Sequence, residues 1–75
     1  MMMPLSQLQV QIQVKISRVE NEDLLIKLAE MGVMPGVELS VQNKAPFNGP
    51  LSLLVNGTKI IIRKNEAKSI LVETL

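Results

Sequence analysis

The sequence predicts a mainly β fold, a small five-stranded barrel with one short helix inserted after the first strand and a one-turn helix before the last. Three observations carry this. Apolar and polar residues alternate in several short runs, which is the period of strands with one wet face. Asn56-Gly57 stands between two aliphatic runs, the dipeptide favoured in two-residue type I′ hairpins because both central residues need positive φ. One stretch alone, from Glu22 to Met31, has helical spacing and is closed by a glycine.

Taken in order, Leu8 to Ile16 alternates without a break, with Gln9, Gln11, Gln13 and Lys15 on a solvated outer face, and is read as the first strand. Asn21 then precedes Glu22 and Asp23, and Leu24, Leu25, Leu28 and Met31 recur at helical spacing. Asn21 is therefore the N-cap, the two acids sit favourably against the helix dipole, and Leu28 and Met31 are expected to bury. Gly32 at C′ ends the helix by taking a left-handed conformation, which places Val33 to touch Leu28. Pro35-Gly36 follows as a type II turn, because proline supplies its first central residue and glycine the positive φ of its second.

Val37 to Val41 alternates again as a second strand. Lys44 to Pro50, with two prolines and an Asn-Gly pair, is a loop of restricted flexibility. Leu51–Val55 and Thr58–Arg63 form the hairpin around Asn56-Gly57, Lys64–Lys68 makes a single helical turn, and Ile70–Val72 is the last strand. This order matches a small SH3-like barrel, whose closure removes sheet edges that would otherwise pair with other chains. An open α+β sheet is the alternative arrangement.

Composition narrows the function. Seventy-five residues allow one domain, spanning 1–75, and a chain this short needs a core dense in aliphatics, which the 47% hydrophobic content supplies. With no cysteine there is no disulfide, thiolate nucleophile or Cys-ligated zinc; with no histidine the commonest general acid/base and metal ligand is missing. We expect no catalytic residue, no metal site and no cofactor. The acidic run Glu20, Glu22, Asp23 reads as an ordinary helix start, with a hard-cation site as the lesser reading. A net charge of +1 and a single aromatic residue count against nucleic acid. No export signal or bilayer-length apolar run is visible, so a cytoplasmic address without membrane insertion is expected.

A module that works by binding should present apolar groups that folding leaves at the rim. The candidates are Leu25 on the helix, which could instead complete the buried stripe; Phe47 in the restricted loop, which could instead plug a barrel end; and Met34, beside Pro35, the one expected to be exposed. Methionine suits such a contact because its side chain is unbranched and polarizable.

At Leu28-Ala29-Glu30-Met31-Gly32-Val33-Met34-Pro35-Gly36 the chain resembles the FeoA family of ferrous iron transport protein A domains, whose signature is Leu-x-x-hydrophobic-Gly-hydrophobic-x-Pro-Gly. Further family features follow in order: Ala45-Pro46 and Gly49-Pro50, Gly57, Ile60-Ile61-Ile62-Arg63, Glu66-Ala67 and Ile70-Leu71-Val72. Before its leucine the family commonly has arginine, and here Lys27 stands there. The resemblance implies an SH3-like fold and a cytoplasmic accessory role beside FeoB, the membrane ferrous iron transporter with its own guanine-nucleotide-binding domain. Similar domains end metal-dependent repressors, but this chain has no room for a DNA-binding half, so the transport role is expected.

A guanine-nucleotide-binding partner raises the question of an inserted arginine. Arg18, ahead of the helix, is the better of the two arginines, because Arg63 reads as a local ion pair with Glu66. A small nucleic-acid-binding barrel and a direct metal carrier are the other readings. A proline-recognising groove is disfavoured for want of aromatic walls, and iron carriage for want of imidazole or thiolate.

Overall fold

In the computed structural model, which describes residues 2–75, the chain runs β1 (Met2–Pro4), a 3-10 turn (Leu5–Gln7), β2 (Gln13–Val19), α1 (Glu22–Glu30), β3 (Glu38–Lys44), β4 (Leu51–Val55), β5 (Thr58–Ile62), α2 (Lys64–Ala67) and β6 (Ile70–Thr74). The strands form one antiparallel sheet in the order β1-β6-β2-β3-β4-β5. The mainly β, SH3-like class is as expected, with a sixth short strand, β1, added at the edge on β6. β2 through β6 all contribute to one buried cluster, which Leu24 and Leu28 of α1, Ala67 of α2 and Leu5, Leu8 and Val33 outside the strands complete. The accessible surface of 4687 Å² is close to the roughly 4,600 Å² of a compact chain of this mass.

Local chemistry explains how α1 is delimited. Asn21 Oδ1 accepts from the Leu24 N–H at 2.9 Å, and Glu22 and Asp23 occupy the first turn. At the other end the Val33 N–H donates to the Leu28 carbonyl at 2.9 Å and the Gly32 N–H to the Ala29 carbonyl at 3.0 Å. These two bonds, with Gly32 at φ +80°, are a Schellman ending. Leu24, Leu28 and Val33 are buried. Met31 is not: at 47% exposure it departs from the expectation that it buries. As C-cap, with φ −98° and ψ 7°, it leaves the helical path, and Val33, folded back over Leu28, lies in the core instead.

The turn at Pro35-Gly36 is bolted to β2. Val37 N–H donates to the Met34 carbonyl at 3.0 Å, Gly36 has φ +94°, Gly36 N–H donates to the Ile16 carbonyl and Ile16 N–H to the Val37 carbonyl. The first strand begins later than its alternation predicts, at Gln13 rather than Leu8, and runs on to Val19. Gln11 has φ +69° and donates its N–H to Val41, which breaks the strand there. Leu5 and Leu8 plug the core from this connector, while Val10 and Ile12 stay exposed. Alternation cannot distinguish a strand from an extended connector that dips into the core at every second or third residue. The glutamine and lysine face is nonetheless exposed throughout.

Both hairpins in the second half close through paired positive-φ residues. Asn56 (φ +51°) and Gly57 (φ +79°) join β4 to β5. Between β3 and β4 the ladder continues past Lys44↔Leu51 through an Ala45 N–H to Pro50 bond of 3.0 Å, and Gly49 N–H closes on the Pro46 carbonyl at 3.1 Å.

The two kinds of glycine should respond differently to alanine. A Cβ on Gly32 meets nothing within 4 Å, so Gly32→Ala should cost only its left-handed conformation, about 1 kcal/mol. A Cβ on Gly49 would lie 2.7 Å from the Ala45 Cβ and 3.0 Å from the Pro46 carbonyl oxygen, so Gly49→Ala should cost about 1–3 kcal/mol through overpacking. Urea unfolding of both variants checks the order.

Candidate functional site

The tip of the β3–β4 hairpin is built from Pro46, Phe47, Asn48 and Gly49, and both central residues, Phe47 and Asn48, have φ of +59°. A type I′ turn demands this geometry, and glycine and asparagine meet it cheaply. Phenylalanine does not, because its Cβ crowds the following carbonyl at a cost of about 1–2 kcal/mol. Nothing in the fold offsets that cost, since Phe47 is 100% exposed. It is the one aromatic residue of the chain, and it does not enter the core. The tip itself is held firmly by two prolines and the close Gly49–Ala45 approach.

The tip leans on the junction between β5 and α2. The Lys64 ammonium donates to Asn48 Oδ1 at 3.0 Å. Between them lies a cleft of about 540 Å³ lined by Asn48, Gly49, Pro50, Arg63, Lys64, Asn65 and Lys68. Its charged groups are all cations. Lys64 and Lys68 are one helical turn apart and share a face, where like charges repel. Among the described residues none of the three cations forms an ion pair.

Glu66, the acid nearest in sequence, is committed to the other side of α2. Its carboxylate accepts from the Arg63 backbone N–H at 2.9 Å and from Lys27 Nζ at 3.0 Å. These two interactions, the backbone bond first, hold its pKa below the ordinary carboxylate value. The expected Arg63–Glu66 ion pair is therefore replaced by a Lys27–Glu66 pair that ties α1 to α2. Arg63 bonds Glu66 through its main chain and adds a weaker attraction through its charge, while among the described residues its guanidinium forms no ion pair and lines the cleft.

The other residues singled out from sequence lie elsewhere. Met34, 45% exposed, occupies the turn ahead of β3. Phe47 lies past the opposite end of that strand, which at seven residues is about 20 Å long. Leu25 is half-buried on the flank of α1. Arg18 is exposed in β2 and paired with Glu20 at 3.1 Å. The structure thus does not gather the four into one patch, and it adds a cleft lined by Asn48, Arg63, Lys64 and Lys68 next to the tip that carries Phe47. The spacing of Lys64 and Lys68 was visible in the sequence; their meeting with Asn48 was not. Among the described residues no three His, Cys, Asp or Glu side chains converge on a metal-sized site, and no helix is long and apolar enough to cross a membrane.

The sequence matches the FeoA domain family model over residues 3–74. A FeoA protein from Chlorobium tepidum has a similar structure, with a TM-score of 0.89 and 30% identity over 97% of this chain and 70% of that one. A FeoA-like protein from Clostridium acetobutylicum is similar with a TM-score of 0.85 and 33% identity, over 99% of this chain and 87% of that one. A manganese-dependent transcriptional repressor shares the fold alone, at a TM-score of 0.88 and 18% identity, with this chain spanning 42% of its length. No curated protein sequence matches significantly.

Two outcomes are expected of the site residues. Phe47→Asn should raise stability by about 0.5–1 kcal/mol in urea unfolding, because asparagine tolerates the left-handed turn and no burial is lost. Glu66→Gln should cost about 0.5–1 kcal/mol at neutral pH, a modest figure because Lys27 is largely in water. Since the folded-state pKa of Glu66 is lowered, its contribution is full above the unfolded-state value and lost as pH falls through the folded one. The gap between the two proteins should therefore close on acidification.

Proposed function

The chain belongs to the FeoA family, and from that premise we propose that it is a non-enzymatic accessory of ferrous iron transport, acting in the cytoplasm by binding a FeoB-type membrane transporter. The family supplies the iron-transport setting. The observation that supports binding as the mode of action is Phe47, an aromatic side chain held wholly in solvent on a rigid, conformationally costly tip. Strain that the fold does not repay is retained where function requires it. Aromatic anchors of this kind dominate binding energy at interfaces once a partner's pocket desolvates them, and a preordered tip loses little entropy on docking.

Met34 supports the same reading as a second, weaker contact at the far end of β3, with Leu25 at the rim of α1. Arg18 is the least favoured of the four, because its guanidinium already faces Glu20. The scarcity of metal ligands turns the reading from carrying iron toward contacting the transporter that does.

The test is calorimetric or pull-down titration of this protein against full-length transporter in detergent and against its isolated cytoplasmic part, in each nucleotide state. Wild type should bind in at least one state. Phe47→Ala should weaken binding by about tenfold or more, and Met34→Asp by less, with neither lowering Tm. Absence of binding to the full-length transporter in every nucleotide state would overturn the proposal.

A further inference from the structure

The cleft beside Phe47 has a chemistry of its own. Arg63, Lys64 and Lys68 line it without an acid, although the chain as a whole is close to neutral. With these three of the eight Lys and Arg set aside, the rest of the chain carries more acids, seven, than bases. The positive potential is therefore local. Glu66 could have neutralised it, but its carboxylate is turned across α2 to Lys27. Lys64 is meanwhile anchored to Asn48, so one wall of the cleft is joined to the hairpin tip that carries Phe47.

We propose that this cleft receives a short acidic segment of a protein partner, whose carboxylates meet Arg63, Lys64 and Lys68 while an adjoining apolar side chain packs on Phe47. The inference rests on the protein-binding reading above and adds the partner's chemistry to it. A fork-shaped guanidinium and two ammonium groups within one cleft match two or three carboxylates on an extended peptide. A nucleic acid fits less well. Its phosphates continue past any three-cation cleft, whereas the rest of this chain carries more acids than bases and offers no further aromatic platform. The volume of about 540 Å³ is that of a site for a few residues, not for a groove-spanning polymer.

The experiment is an amide NMR titration of the whole ¹⁵N-labelled chain with a capped hexapeptide of alternating glutamate and leucine, with its glutamine counterpart, and with an oligothymidylate of similar length. The glutamate peptide should shift the amides of Gly49, Lys64 and Lys68 saturably, with affinity falling roughly fivefold to tenfold between 50 and 300 mM salt. The glutamine peptide should leave them in place, and the double substitution Lys64→Glu, Lys68→Glu should abolish the shifts at unchanged Tm. Equal binding of both peptides, shifts elsewhere on the molecule, or tighter binding of the oligothymidylate would each overturn the proposal.

The same double variant, titrated against the transporter, separates this inference from the reading beneath it. Loss of binding at least equal to that of Phe47→Ala is expected. If Phe47→Ala loses the transporter and Lys64→Glu, Lys68→Glu keeps it, the acidic-segment inference fails and the protein-binding reading stands. If wild type never binds the transporter, that reading fails, while the peptide titration still decides the chemistry of the cleft.

Discussion

Burial of one aliphatic cluster, to which every strand from β2 to β6 contributes, is the constraint from which the rest of this molecule follows. The apolar face of the sheet needs cover, and it is supplied piecemeal, by Leu24 and Leu28 of α1, by Val33 and by Ala67 of α2. Bringing these pieces together requires sharp reversals at particular places: the Schellman ending at Gly32, the Met34–Val37 turn latched to Ile16, and the two positive-φ hairpins. Leu5 and Leu8 enter the same cluster from a connector that belongs to no strand of the main sheet.

This economy leaves the surface to carry specificity. Interior positions are taken by Leu, Ile, Val and one Ala, and the buried Ser40 is satisfied by Gln42 Nε2 at 2.7 Å. Outside the core, the exposed candidate side chains Met34 and Phe47 sit on well-held turns. The tip from Pro46 to Gly49 is one such place, because it is short, proline-flanked and tightly packed at Gly49. Phe47 is costly there for the fold, and under the proposed binding role stability and recognition pull in opposite directions at one residue.

Charge is handled with similar separation. α2 and its C-cap divide two environments: Glu66 faces α1 and clamps the two helices together through Lys27, while Lys64 and the C-cap Lys68 line the cleft beside the hairpin tip. A nearly neutral protein thereby acquires a local cationic surface. Had Arg63 paired with Glu66, as their spacing invites, the clamp and the cleft would both have been weaker. Lys27, a point charge rather than a fork, suffices for the clamp because the Arg63 backbone N–H supplies the second bond to the carboxylate.

What the sequence determined by itself is what neighbours within four residues decide. Asn21 and Gly32 bounded α1, Pro35-Gly36 and Asn56-Gly57 set their turns, and the motif from Leu28 to Gly36, with the features after it, marked the family, because capping and positive φ are local demands met by particular side chains. Tertiary structure alone decided the rest. Pairing of Met2–Pro4 with β6 joins the two ends of the chain, and the start of β2 depends on a Gln11 bond to Val41. Met31 surrendered the core to Val33 through a helix ending whose bonds were predictable but whose packing was not. Phe47, legible only as either plug or contact, became fully exposed, and Lys64 met Asn48 in a cleft shared with Arg63 and Lys68. Each of these outcomes turns on which distant surface fills a given space, and alternation along a chain carries no record of that.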